Sequence, residues 1–263
     1  MSGDSPAGGL SVAVTGATGR MGRRVVADAL ERGHAVDVAV NRSADGATVE
    51  GVSVEDAGAL PTLLAERDPD VLVDFTGPSS ALEYVDAAAD AGVPVVTGTT
   101  GFDDAGETAL EAAAAEVPLL RAANFSRGVA ALERALRAAV AALPGYDVEV
   151  TETHHNQKTD APSGTAKALL DALDDERGRA AGRVHGREGT TPRQPGEVGV
   201  HARRAGDVTG EHEVLLAGND EVLELTHRTG DRGVFAAGAL DAAEWLAGRD
   251  PGYYDFGAVI GER

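Results

Sequence analysis

A short apolar run, Leu10 to Thr15, breaks into the glycines Gly16, Gly19 and Gly22, and a helical pattern follows at once from Arg23 to Arg32. Few folds accommodate that order. Glycine allows a tight turn and close approach of backbone to a ligand, while a helix N-terminus offers N–H groups to an anion. Val25, Val26, Ala29 and Leu30 give the helix an apolar side, Gly33 stops it, and Ala35 to Val40 is a second strand. In a β-turn-α-β unit of about 30 residues, the turn Gly16, Ala17, Thr18, Gly19, Arg20, Met21, Gly22 reads as a cradle for a dinucleotide pyrophosphate. Its GxxGxxG spacing is a variant of the usual GxGxxG. Arg20 either adds charge against the pyrophosphate or lies on the surface of the helix start.

The same alternation continues. Helix Leu60 to Arg67 precedes strand Val71 to Phe75, helix Ala81 to Ala91 precedes strand Val93 to Thr97, and helix Glu107 to Glu116 precedes strand Val117 to Ala122. Strands and helices at this spacing predict an α/β chain with a Rossmann-type, doubly wound parallel sheet. Near Asn124 the rhythm changes. A helix at Val129 to Ala142 leads to a strand at Val148 to His154 and a helix at Thr165 to Asp174. A loop rich in Arg, Gly and Pro, Gly178 to Gly196, separates these from strands at Val198 to Arg203, His212 to Ala217 and Val222 to His227. The last three are expected to be consecutive antiparallel strands, turning at Gly206–Asp207 and Gly218–Asn219. The second domain is therefore a smaller α+β unit with a mixed, largely antiparallel sheet, and a last helix, Val234 to Ala247, resembles those of the first half.

At the end of the second strand, where an acid usually holds the ribose diol of NAD, the chain has Asn41 and Arg42. An arginine there can pair with a 2′-phosphate through two hydrogen bonds, which favours NADPH over NADH while leaving use of both open; the alternative is a solvated side chain beside a loop. The absence of cysteine excludes disulfides, thiolate metal sites and a cysteine nucleophile, and it weakens the case for an acyl-enzyme chemistry of the aspartate-semialdehyde dehydrogenase type. A net charge of −20 repels nucleic acid and, with no basic stripe to offset it, is read as a solvated surface adapted to high salt rather than an acidic binding face. The start, Met1 to Gly9, has no basic patch followed by an apolar stretch and so does not read as a secretion signal, and no apolar run reaches the ~20 residues of a membrane span. A cytoplasmic protein is expected.

The most informative stretch runs from Glu152 to Thr165. His154 and His155 close a strand, Lys158 (one of only two lysines) follows in a loop, and Pro162 leads into a helix whose first turn carries Ser163, Gly164 and Thr165. Proton donors and an anion-ready helix start thus fall within about a dozen residues. Each part has a plainer alternative. The histidines could be surface residues, although neighbours on a strand face opposite ways and would not readily share a metal ion, and Ser163 could be only a helix cap. No metal site is expected.

Taken in order, these features resemble the dihydrodipicolinate reductase family, whose substrate is now named 4-hydroxy-tetrahydrodipicolinate. The resemblance runs from Val12 to about Asp255. It is carried by Val14 to Gly22, Asp74 to Thr76, Gly98 to Phe102, Ala123 to Ser126, Glu152 to Thr165, Arg204 to Asp207, Gly210 to His212, and Thr226 to Arg232. It implies a reductase that takes a hydride from NADPH or NADH to form tetrahydrodipicolinate, on the diaminopimelate route to lysine. The nicotinamide would lie near Gly98, Thr99 and Thr100 and near Ala123, Asn124, Phe125 and Ser126, with Phe75 and Thr76 close by. His154 would be the proton donor and Lys158 a second acid or base. His155, Lys158, Ser163, Gly164 and Thr165 would hold the substrate's two carboxylates. The family pattern further implies a discontinuous dinucleotide-binding domain, residues 1–125 and 234–263, a substrate-binding and tetramerisation domain, residues 126–233, and a homotetramer. Two departures bear on the cofactor: the loop from Arg42 to Val52 is short, and Asn41 stands where many members have an acid.

The chemistry fits. A hydride delivered to a conjugated cyclic imine leaves electron density that a proton must quench, and a histidine of pKa near ~6.5 can supply one near neutrality. Two rivals lack support. A short-chain reductase or epimerase would need Tyr-x-x-x-Lys, and no tyrosine has a lysine four residues on. A non-enzymatic NADPH-binding regulator would have no use for the histidines, the lysine and the helix start.

Overall fold

A computed structural model describes residues 9–178 and 182–261; most of the polar start and residues 179–181 of the expected loop lie outside that description. Along the chain run β1 (Ser11–Thr15), α1 (Arg20–Glu31), β2 (Ala35–Asn41), the small hairpin β3 (Thr48–Val49) and β4 (Val52–Ser53), and β5 (Glu55–Asp56). Then come α2 (Leu60–Arg67), β6 (Val71–Asp74), α3 (Pro78–Ala91), β7 (Val95–Thr97), α4 (Asp104–Ala114) and β8 (Pro118–Arg121). They are followed by α5 (Arg127–Ala142), β9 (Asp147–His154), α6 (Gly164–Arg177), β10 (Arg183–His185), β11 (Val198–Arg204), β12 (Gly210–Gly218) and β13 (Glu221–Thr229). The chain ends in α7 (Gly233–Leu246), β14 (Gly252–Tyr254) and α8 (Phe256–Gly261).

Two compact units result, residues 1–125 with 233–263 and residues 126–232. In the first, seven strands lie in the order β14-β8-β7-β6-β1-β2-β5, all parallel. The order reverses between β6 and β1, which puts a crevice outside the carboxyl ends of these strands. Nearly continuous apolar runs make this possible: Val12 to Val14 and Val71 to Val73 are at most 1% exposed, as strands covered on both faces must be. Leu60, Leu64, Leu72, Leu110 and Leu119 fill one core cluster. Gly77 followed by Pro78 starts α3 three residues before the expected Ala81, because proline suits the first helical position.

The second unit has the sheet order β10-β11-β9-β12-β13. Here the expectation of three consecutive antiparallel strands is corrected. Strand β12 does pair antiparallel with β13, but β11 runs parallel to β9, which separates it from β12. The reason lies in β9, which is buried at Val148, Val150 and Glu152 and so takes the centre of the sheet with a partner on each side. The turn at Gly206–Asp207 consequently crosses the end of β9, where Ala205 donates its amide to the His154 carbonyl and Asn156 donates to the Gly206 carbonyl. One face of the sheet packs on α5 and α6 through Leu136, Leu169, Leu170, Leu173, Val148, Val214 and Leu216. Each fully buried leucine contributes roughly 1.5–3 kcal/mol.

Candidate active site

In the first unit the glycine turn has the tightness that its sequence implies. Gly16 has φ +61°, and a Cβ there would lie 2.8 Å from Thr76 Cγ2. A Cβ on Gly22 would lie 2.2 Å from the Gly16 carbonyl oxygen, so only glycine lets α1 come so close to the turn. Gly19 precedes α1 and caps it with no side chain. A bare helix start in a cradle that a methyl group would fill suits a pyrophosphate. Asn41 ends β2 and donates to the Ser43 carbonyl, and the exposed Arg42 follows. Phe75 and Thr76 follow β6, Gly98 to Thr100 follow β7, and Ala123 to Phe125 follow β8, so the expected nucleotide residues of this unit share one edge of the sheet. Ser126 instead belongs to the second unit.

That edge has an organiser which sequence reasoning passed over. Asp74 is fully buried and accepts four hydroxyl hydrogen bonds, from Thr15 (2.7 Å), Thr76 (2.6 Å), Thr97 (2.9 Å) and Thr99 (2.7 Å). Thr99 also accepts the amide of Thr76 at 3.1 Å. The ring of Phe75 lies where a Cβ on Gly98 would stand, 2.1 Å from it, and meets Phe125 edge-on at 5.6 Å. Threonines at the ends of three predicted strands were the available signal.

In the second unit the alternation of β9 turns Glu152 and His154 to the same side as Val148 and Val150. Glu152 is fully buried. It accepts from Arg204 Nη1 and Nη2 (2.9 and 2.7 Å), the His154 Nδ1–H (2.5 Å) and the Ser163 amide (3.2 Å). Burial alone would raise this carboxyl, but the hydrogen bonds from Arg204 and His154 prevail and hold it below the ordinary range. Burial is also the main influence on His154, pushing it below the usual imidazole value against the pull of Glu152, with Lys158 and Arg204 adding to the fall. A carboxylate only accepts, so the proton of neutral His154 sits on Nδ1 and leaves Nε2 as the working atom.

Both helix starts of this unit are built alike. Ser163 caps α6 by accepting the Ala166 amide and meets His212 Nε2 at 3.2 Å; Ser126 caps α5 by accepting the Val129 amide and meets His227 Nε2 at 3.3 Å. His212 and His227 are direct partners across the β12–β13 hairpin, which sets the two helix starts side by side. Burial holds His212 down to about 4 and lowers His227 as well. His212 and His154 stack edge-on at 5.2 Å. Sequence reasoning missed Glu152, Arg204 and His212 as site residues; the in-phase apolar positions of β9 and β12 point to the first and last.

Of the expected substrate residues, Ser163 is 2% exposed and its hydroxyl already serves the cap and His212. Gly164 and Thr165 form the first turn of α6, more open than Ser163. Lys158 lies in the loop after β9 and pairs with Asp160 at 2.7 Å. His155 follows the end of β9 and meets Arg232 at 3.5 Å. Among the described residues no cluster of His, Asp or Glu is placed to hold a metal ion.

Residues 10–125 match the profile described as dihydrodipicolinate reductase, N-terminus, and residues 128–260 match its C-terminus. The 4-hydroxy-tetrahydrodipicolinate reductase of Natronomonas pharaonis is 57% identical over 94% of this chain and 98% of its own. That of Haloarcula marismortui is 53% identical over 95% and 98%. Among solved structures, dipicolinate-bound dihydrodipicolinate reductase from Paenisporosarcina sp. TG-14 has the same fold, with a TM-score of 0.76 and 23% identity over 94% of this chain and 97% of that one.

Proposed function

Because this chain belongs to the dihydrodipicolinate reductase family, we propose that it reduces 4-hydroxy-tetrahydrodipicolinate to tetrahydrodipicolinate with NADPH, on the diaminopimelate route to lysine. The observation that carries the reading is His154, fixed by a buried carboxylate beside the start of α6.

A bound nicotinamide cofactor supplies the hydride. The glycine turn and the start of α1 would hold its pyrophosphate, Arg42 would take the 2′-phosphate, and the residues after β6, β7 and β8 would receive the other half. NADPH is the preferred cofactor, and NADH would have to bind without the Arg42 contact. In the second unit Lys158 and the open turn at Gly164 and Thr165 bind one carboxylate, with Ser163 shaping that turn from beneath, and His155 receives the other. His154 Nε2 and Lys158 manage the proton that the reduced ring needs.

The same reading makes the enzyme cytoplasmic and tetrameric. No helix among the described residues is long and apolar enough to cross a membrane. Strand β13 is an edge strand with Val222 and Leu223 59% and 37% exposed, a surface suited to pairing between subunits.

The test couples the protein, in high salt, to the synthase that makes hydroxy-tetrahydrodipicolinate and follows NADPH absorbance. Oxidation dependent on both proteins is expected. A folded protein that oxidises no more NADPH than the blank would overturn the assignment.

A further inference from the structure

Asp74 plays no part in the chemistry above, yet it is a fully buried carboxylate whose four donors are all neutral hydroxyls. Burying charge is costly unless something requires it, and a core position at the end of a central strand is readily filled by an apolar side chain. Its partners explain where the requirement lies. Thr15 ends β1 and leads into the glycine turn, Thr76 belongs to the turn after β6, and Thr97 and Thr99 flank Gly98 after β7. One carboxylate therefore ties together three turns on the ligand-bearing edge of the sheet. The ties continue into the backbone, because Thr97 accepts the Thr99 amide at 3.2 Å and Thr99 accepts the Thr76 amide at 3.1 Å.

The place of this hub along the sheet matters. In a doubly wound sheet the pyrophosphate sits at the turn after β1 and the adenosine lies toward β2. Strands β6 and β7 lie on the opposite side of β1, so the turns that Asp74 ties belong to the half of the site that receives the nicotinamide. Oxidation turns that ring from a neutral dihydropyridine into a cation, and a fixed anion nearby, in surroundings poorer in water than the bulk, favours the cation.

Resting on the cofactor reading above, we propose that Asp74 is a positioning residue that holds these turns in register and, through its charge, biases the site toward the oxidised nicotinamide. The shape of the site comes from the hydroxyls, and the bias comes from the carboxylate. The two parts separate experimentally.

The measurement is equilibrium binding to the full chain, without substrate: NADPH by its fluorescence, NADP+ by displacement of NADPH. In Asp74→Asn, which keeps the size of the side chain, the ratio of the NADP+ Kd to the NADPH Kd should rise at least about threefold over the unaltered protein. A purely structural role would weaken both forms alike and leave the ratio unchanged; that result overturns the charge assignment. Thr99→Val keeps the charge and removes two ties. It should weaken both forms several-fold at constant ratio, and unaltered binding in that variant overturns the positioning role. If Asp74→Asn fails to fold, Thr99→Val still decides the positioning role, and the same Kd ratio in Asp74→Thr, a neutral side chain that keeps an oxygen, decides the charge assignment. Ser11→Ala, on β1 but bonded to the exposed Asp37, should bind both forms normally. If the unaltered protein binds neither nucleotide, the cofactor reading itself fails, a result distinct from a constant ratio in the variants.

Discussion

At the scale of single residues, Glu152 does two things through one carboxylate. It neutralises Arg204 and it fixes the proton of His154 on Nδ1. Glu152→Gln can donate where it must accept, so it should lower kcat roughly a hundredfold, the low end of what positioned proton transfer contributes, with little change in the NADPH KM. A change confined to the KM would contradict that role. Arg204→Met leaves a buried carboxylate without its cation. Urea unfolding should show a loss of about 3–5 kcal/mol, whereas a stability within experimental error of the parent would mean that the pair contributes nothing. Arg42→Ala should weaken NADPH about tenfold and leave NADH nearly unchanged. Equal losses for both would remove the 2′-phosphate contact.

At the scale of elements, the β12–β13 hairpin carries His212 against the start of α6. The folded pKa of His212, about 4, lies below the ordinary imidazole value of ~6.5. Above ~6.5 the ring is neutral in both states and its contribution is complete. As pH falls from there toward 4, the unfolded chain takes up a proton that the folded hairpin refuses, and up to about 3 kcal/mol is lost. Unfolding free energies at about pH 7 and about pH 5 should therefore differ more for the unaltered protein than for His212→Gln; parallel losses would contradict this. The parallel sheet was legible because its strands are nearly unbroken apolar runs, such as Val71 to Val73. The edge strands β5 and β14 were not, at two and three residues, since so short a run carries no periodicity. The order of the second sheet was hidden for another reason. Nearness in sequence suggested that β11 pairs with β12, but both pair with the buried β9 instead. The candidate site shows the same division: the glycine turn and the start of α6 are local patterns, whereas Arg204 reaches Glu152 across 52 residues, which no local pattern records.

For the whole molecule, the net charge of −20 governs how stability responds to the solvent. Self-repulsion of that size opposes compaction and weakens as salt shortens the screening length, from ~10 Å at 0.1 M to ~3 Å at 1 M. The thermal midpoint should climb by several degrees or more as KCl is raised from low to molar concentration. A midpoint that falls or stays flat would contradict adaptation of the surface to salt. The role of His154, seated on Glu152, as the proton-handling centre of an imine reductase is tested directly by His154→Gln. With the coupled synthase assay and NADPH binding measured on the same preparation, kcat should fall about a hundredfold or more while the NADPH Kd stays within twofold of the parent (roughly 0.4 kcal/mol). Full turnover by the variant, or a loss explained entirely by weaker NADPH binding, would remove His154 from that role.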